Sequence, residues 1–350
     1  MLNTKTIFNR KNILVTGGAG FIGSHVCDEL VKQSNVICID DFSTSHVENI
    51  NHLLENPNFE FIKHDLTKRI DLTEQHELDK FKIRFQGIQE IYHLACPTSP
   101  KNFNKQRYHS LLTNGVGTIN VLELAKAYKA KFLLASSSVV YGPRFPNAPR
   151  FTEDYHGYVD CNSPRACYDE GKRFAESSAI TYRDMFSLDI KIARIFRTYG
   201  PRMSLFDGHM VPDFVLQALN SKPMVIYGDE TFSTSLCYVS DVVEGLLKLM
   251  NSKEYGPLNF GHYDEIKMTD IANKIKTMVS SSSEVSFAKP MLFMSPLGLP
   301  DLTAVKEKLG WYPLVPLDEG LQKTIEYIKA NQFILQPMLW KYEDEESQTK

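Results

Sequence analysis

Asn12-Ile13-Leu14-Val15-Thr16-Gly17-Gly18-Ala19-Gly20-Phe21-Ile22-Gly23 decides the fold of this 350-residue chain. A short apolar run stops at glycines. Phe21 to Gln33 then repeats its apolar residues at helical spacing, and Val36 to Asp40 is a second apolar run. Strand, glycine turn, helix and strand in that order form a dinucleotide-binding unit. Glycines at 17, 20 and 23 permit a tight turn, close approach of the backbone to a pyrophosphate, and close packing of helix on strand. Asp40, 17 residues beyond Gly23, ends the second strand, where a carboxylate can accept both hydroxyls of an adenosine ribose and repels a 2′-phosphate. The expected cofactor is therefore NAD rather than NADP. Asp41 either supports the ribose contact or is solvated. Asp65, in His64-Asp65-Leu66, either reads the adenine amino group or caps the next turn.

Working outward, strands are expected at Phe59 to Lys63, Glu90 to Leu94, Lys131 to Ser136 and Asp189 to Ile195, alternating with helices at Asn114 to Tyr128 and Tyr168 to Met185. Alternating β and α units imply an α/β fold with a Rossmann-type, doubly wound parallel sheet. After about residue 196 the elements shorten. Helices are expected at His209 to Asn220, Val239 to Met250, Met268 to Val279 and Leu317 to Ala330, with a strand at Met224 to Ile226. The expected organisation is an NAD-binding domain over 1–195, an interleaved, smaller C-terminal α/β substrate lobe over 196–335, and a polar, flexible tail over 336–350.

Apolar residues at 43% and charged residues at 23% are the proportions of a soluble globular protein. A net charge of −3 gives no electrostatic case for nucleic acid or an anionic membrane, so an anionic ligand must be held by local groups. The six cysteines contain no C-x-x-C and the ten histidines no H-E-x-x-H. Reduced thiols, a cytoplasmic setting and no metal site are expected. No apolar stretch reaches the roughly 18 residues of a membrane span.

Tyr168 and Lys172 stand four residues apart on one helix face, so an ammonium there can lower the phenol's pKa and hold a ribose. That makes Tyr168 a candidate base. The serine run Ser136-Ser137-Ser138 ends a strand at the carboxyl edge of the sheet, where open α/β folds bind ligands. Ser137, Tyr168 and Lys172 together form a set for moving a hydride and a proton: tyrosinate takes the proton of a sugar hydroxyl, serine bonds that oxygen, lysine tunes the phenol.

The chain from about 11 to 330 resembles the extended short-chain dehydrogenase/reductases that modify nucleotide sugars, and among them the UDP-glucuronate decarboxylases. Five stretches carry the resemblance: Ile13 to His25, Tyr92-His-Leu-Ala-Cys-Pro-Thr-Ser-Pro100, Cys167-Tyr-Asp-Glu-Gly-Lys-Arg173, Ala193-Arg-Ile-Phe-Arg-Thr-Tyr-Gly-Pro-Arg-Met203 and Cys237-Tyr-Val-Ser-Asp241. It implies bound NAD, oxidation of the sugar at C4, and a 4-keto group that activates a second step. By residue-for-residue carry-over it implies cofactor or near-cofactor positions at Gly17, Gly20, Phe21, Ile22, Gly23, Asp40, Asp65, Leu66, Leu94, Ala95, Asn114, Tyr168 and Lys172, with Ser137 in the serine/threonine role. A nucleotide-sugar substrate would meet Ser138, Arg197, Arg202, His209 and Tyr227. Such enzymes commonly form homodimers through two helices per subunit, and Phe174, Ala175, Ala179 and Ile180 could serve, or could face the sheet.

Departures from the decarboxylases concern charge. Their catalytic glutamate is Val139 here and their arginine is Thr234. Their asparagine in R-I-F-N-T-Y-G-P is Arg197, and their R-K-P-D-I segment reads Gly298-Leu-Pro-Asp-Leu302. A dehydratase's T-D-E is likewise replaced by Ser137, Ser138 and Val139. C4 oxidation needs none of the lost groups, so epimerisation or net oxidation without decarboxylation stands beside the family reaction, and an NAD-binding sensor without turnover stands behind both. Arg197 either faces the anionic part of the substrate or pairs with a carboxylate such as Asp213.

Overall fold

The computed structural model describes residues 10–145, 150–205, 207–291 and 297–331. The expected tail at 336–350 lies outside the described residues. Seven parallel strands make one sheet, ordered from one edge as Phe59–Lys63, Asn35–Asp40, Asn12–Thr16, Glu90–His93, Lys131–Ser137, Ile190–Ile195 and Leu258–Phe260. All five residues of Asn12–Thr16 are buried, as a strand covered on both faces by helices requires.

Chain order reverses between Asn12–Thr16 and Glu90–His93. That switch point opens a crevice at the carboxyl ends of the two strands. Residue by residue, Thr16 pairs with His93, so Gly17 and Leu94 leave the sheet side by side. The strands are also pinned there: the Thr16 hydroxyl meets His93 Nδ1 at 2.7 Å, and the other ring nitrogen reaches Thr118 at 3.1 Å. Burial, with Lys172 nearby, pulls His93 down to about 3, so the ring is neutral and acts as a brace.

One apolar layer joins Val26, Leu30, Val242 and Leu246 to the faces of Val15 and Val36; the other joins Val121, Leu122, Ala175 and Ala179 to Leu14, Ile37 and Ile91. The part beyond residue 196 contributes both the edge strand Leu258–Phe260 and smaller pairs such as Met224–Tyr227 with Val285–Ala288. It also contributes the helices Met210–Leu219, Val239–Asn251 and Met268–Met278, and a helix over 317–331. Beneath the sheet's carboxyl edge, Ser136 donates to Glu176, whose carboxylate takes a two-pronged pair from Arg194 at 2.8 and 2.9 Å. Arg194 also donates to the Tyr141 hydroxyl, and Tyr141 to Asn259. This buried network ties the helix Ala166–Phe186 to three strands of the sheet.

Candidate active site

A cavity of about 360 Å³ occupies the switch-point crevice. It is lined by Gly17, Gly20, Phe21, Ile22, Gly23, Asp40, Leu66, Leu94 and Ala95, and by Ser137, Ser138, Tyr168, Lys172, Arg197, Arg202 and His209. Asp65, Asn114 and Tyr227 are not among its lining residues.

The glycine turn is built for close approach. Gly17 has φ +70°, and a Cβ there would lie 2.7 Å from the Ala95 backbone. On Gly23 a Cβ would lie 2.1 Å from the Gly17 carbonyl oxygen. Only glycine at both positions lets the helix Phe21–Val31 begin against the strand end, with its first N–H groups turned to the cavity. This cradle fits a pyrophosphate. The Asp40 carboxylate accepts from the N–H of Ala19 at 3.1 Å, the N–H of Phe42 at 3.0 Å and the Ser45 hydroxyl at 2.6 Å. Burial raises its pKa and those bonds offset part of the rise. These three bonds fix the carboxylate at the end of its strand, where it lines the cavity.

Asp41 lines the cavity too: its Oδ2 meets His109 Nε2 at 2.9 Å and its Oδ1 accepts from the Ser43 N–H. Asp65 caps its own turn by accepting from the Thr67 N–H. Ligand atoms of Asp41, Asp65 and His109 lie within 4.8 Å of one another beside the cavity mouth.

The helix Ala166–Phe186 carries Tyr168 and Lys172 on one face, both buried. Tyr168 shares a hydrogen bond with Ser137. Burial pushes its phenol well above the ordinary value, against which Ser137 and Arg165 pull it down. The ammonium of Lys172 donates to the Ala135 carbonyl at 2.9 Å rather than to the phenol. Lys172 therefore holds the strand end that presents the serines, a different arrangement from the direct tuning expected of the pair. Asn114 sits in a π-turn, Thr113–Gly117, and donates to the Ser110 carbonyl and the Cys96 sulfur. Its Cβ is so close to the catalytic helix that a Cβ on Gly171 would lie 3.0 Å away. Val139, where the resemblance implies a glutamate, packs with Phe103 and Tyr168.

Arg202 forms an ion pair with Asp28 at 2.7 Å and so pins its loop to the first helix. His209 caps the helix Met210–Leu219 and is drawn down to about 4 by burial and by Arg197. Arg197 lines the cavity with its guanidinium 5.8 Å from the centre of the Phe232 ring. Asp213 reaches Lys101 at 3.9 Å instead of Arg197. Thr234 is buried, its hydroxyl on the Ser235 carbonyl. Sequence reasoning missed Arg165, one turn before Tyr168, which lines the cavity while gripping Asp169 with two nitrogens at 2.9 and 3.1 Å. Its helical spacing from Tyr168 was the available signal.

Comparison with known proteins agrees with this geometry. The model of the NAD dependent epimerase/dehydratase family matches residues 13–261. UDP-glucuronic acid decarboxylase 1 of Xenopus tropicalis is 40% identical over 337 residues, covering 94% of this chain and 76% of its own. UDP-glucose 4-epimerase of Thermotoga maritima, solved with UDP-glucose, superposes with a TM-score of 0.80 at 27% identity, over 92% of this chain and 99% of its own. UDP-glucuronic acid 4-epimerase of Bacillus cereus, solved with UDP-glucuronic acid and NAD, gives 0.78 at 28% identity, over 91% and 99%. The chain belongs to the NAD dependent epimerase/dehydratase family, and its cofactor is NAD.

Proposed function

We propose that this protein oxidises the sugar of a nucleotide sugar at C4 and completes its reaction without releasing carbon dioxide. The observation that carries the reading is the hydrogen-bonded pair of Ser137 and Tyr168 at the sheet's carboxyl edge, above Lys172 and beside an apolar Val139. Bound NAD supplies the hydride acceptor for carbon. Tyr168 receives the proton of the C4 hydroxyl, Ser137 orients that oxygen, and Lys172 fixes the strand end that carries the serine while its positive charge favours tyrosinate. The glycine cradle holds the cofactor's pyrophosphate and Asp40 its ribose. Leu94, Ala95 and Leu66 wall the cofactor end, and Ser138, Arg197 and His209 face the sugar nucleotide.

Loss of carbon dioxide leaves an enolate at C5, which needs a proton carrier beside it. Val139 and Thr234 offer none, which favours epimerisation or net oxidation. Similarity to UDP-glucuronic acid decarboxylases keeps decarboxylation as the second reading. Mixing NAD-loaded protein with UDP-glucuronate and UDP-glucose, followed at the NADH absorbance and by analysis of the sugar product, tests the C4 oxidation: NADH or a C4-altered sugar from either substrate supports it, and neither of the two across a panel of nucleotide sugars would sink it.

A homodimer belongs to the same proposal. Tyr108 and Leu111 on the helix Phe103–Leu112, Val116 in the π-turn and Phe174 on the catalytic helix are exposed apolar side chains on neighbouring elements. Ala175 and Ala179 are buried in the core and Ile180 packs against it, leaving Phe174 as the exposed member of that set. The six cysteines are free, in keeping with a reducing cytoplasm, and no helix among the described residues is long and apolar enough to cross a membrane.

A further inference from the structure

Resting on that reading, we infer that Arg197 is the residue that selects a nucleotide-activated sugar acid, by holding the carboxylate on C5 through the reaction. Among the described residues no carboxylate lies within ion-pair distance of Arg197, although the side chain lines the cavity. Its neighbours are cationic or neutral: Arg165, whose own charge is spent on Asp169, and His209, which burial keeps uncharged. An uncompensated guanidinium inside a protein is expensive, and an anion brought by the ligand removes that expense. Burial and Arg165 lower its pKa to about 10, so it is still a cation at neutral pH.

Placement distinguishes the two anions that such a ligand carries. Ile195 pairs in register with Ser137, so Arg197 leaves the sheet two residues on, beside the serine that bonds Tyr168. Arg165 lies one helical turn before Tyr168, close enough to Arg197 to lower its pKa. Both cations thus line the cavity near Ser137 and Tyr168, where the reacting end of the sugar would lie. In a hexuronate, C5 and its carboxylate adjoin C4, whereas the diphosphate leaves from C1 across the ring. The carboxylate is the group within reach.

This contact also sets the outcome. Release of carbon dioxide from a 4-keto sugar acid moves the electron pair of the bond between C5 and the carboxylate carbon toward the 4-keto oxygen, so negative charge leaves the carboxylate. A guanidinium paired with that carboxylate is bound more strongly in the ground state than in the transition state, which raises the barrier. The sugar acid keeps its carboxylate.

Calorimetric titration of the NAD-loaded protein with UDP-glucuronate, UDP-glucose and UDP tests this. Wild type should bind UDP-glucuronate more tightly than UDP-glucose. Arg197→Gln should weaken UDP-glucuronate by about tenfold to a hundredfold, the scale of a hydrogen bond to a charged group, and leave the other two within about twofold. Arg197→Lys should recover part of the preference, and unchanged NAD affinity in both variants reports an intact fold. Equal weakening of all three ligands would put the guanidinium on the diphosphate and overturn the inference while leaving the nucleotide-sugar reading in place. Equal wild-type affinity for the two sugars would overturn it without any variant. Failure of all three ligands to bind would remove both.

Discussion

The ammonium of Lys172 is bonded to the carbonyl oxygen of Ala135 at 2.9 Å, across 37 residues of sequence. The catalytic helix and the strand that presents Ser137 are thereby fixed to one another at the point of reaction. Replacing Lys172 with Met leaves a buried carbonyl without its donor, a loss of about 1–3 kcal/mol. It also removes a buried cation one helical turn from the phenol. NADH formation should fall by about a hundredfold or more, and thermal unfolding should shift down with it.

Tyr168→Phe should abolish NADH formation on substrate while NAD binding stays close to wild type, because the phenol touches the reacting hydroxyl and not the pyrophosphate cradle. Unchanged turnover would remove Tyr168 from the mechanism.

The pH profile follows from the same phenol. Burial raises its pKa, so the basic form grows as pH rises and activity should climb on the alkaline side. Ser137 lowers that pKa by its hydrogen bond. Ser137→Ala should therefore move the rising limb to higher pH as well as lowering the plateau. A limb that stays in place would mean that Ser137 bonds the substrate alone.

Asp207 offers a stability test away from the cofactor. It is buried, accepts from the Ser99 hydroxyl, and is pushed up to about 7 by burial first and then by Asp213. Its folded pKa lies above the unfolded value, so its contribution is full below about pH 4 and is lost as pH rises toward 7. Asp207→Asn keeps an acceptor for Ser99 and removes the charge. It should raise Tm at pH 8 by several degrees, a stabilisation on the order of 2 kcal/mol, and the gain should shrink at pH 5.

Much of this site was legible in the sequence because its parts are local. The strand Phe59–Lys63 and the strand Asn12–Thr16 fall where apolar runs and glycines put them, and Gly17, Gly20 and Gly23 are read from spacing alone. The helix Phe103–Leu112 was not foreseen, since Asn104, Lys105, Gln106, Arg107 and His109 leave no apolar stripe to recognise. Leu258–Phe260 is three residues long, too short for a period to show, yet it completes the sheet edge. Tertiary partners were invisible as well. Arg202 lines the cavity and also pairs with Asp28, a partner that sequence spacing cannot reveal, and Tyr227 ends a strand paired with Val285–Ala288 away from the cavity lining. The sequence pairing of Tyr168 with Lys172 was right in place and different in detail, because which acceptor an ammonium reaches depends on the strand packed under it.

The most direct test of the central claim is the mass of the product formed from UDP-glucuronate by the NAD-loaded protein, followed together with NADH absorbance. The account predicts NADH formation, transient or stoichiometric, with the carboxylate retained: an unchanged mass with altered configuration at C4, or a 4-keto sugar acid two hydrogens lighter. A product lighter by one carbon dioxide would show that Val139 and Thr234 are tolerated by a decarboxylase, and would contradict the account.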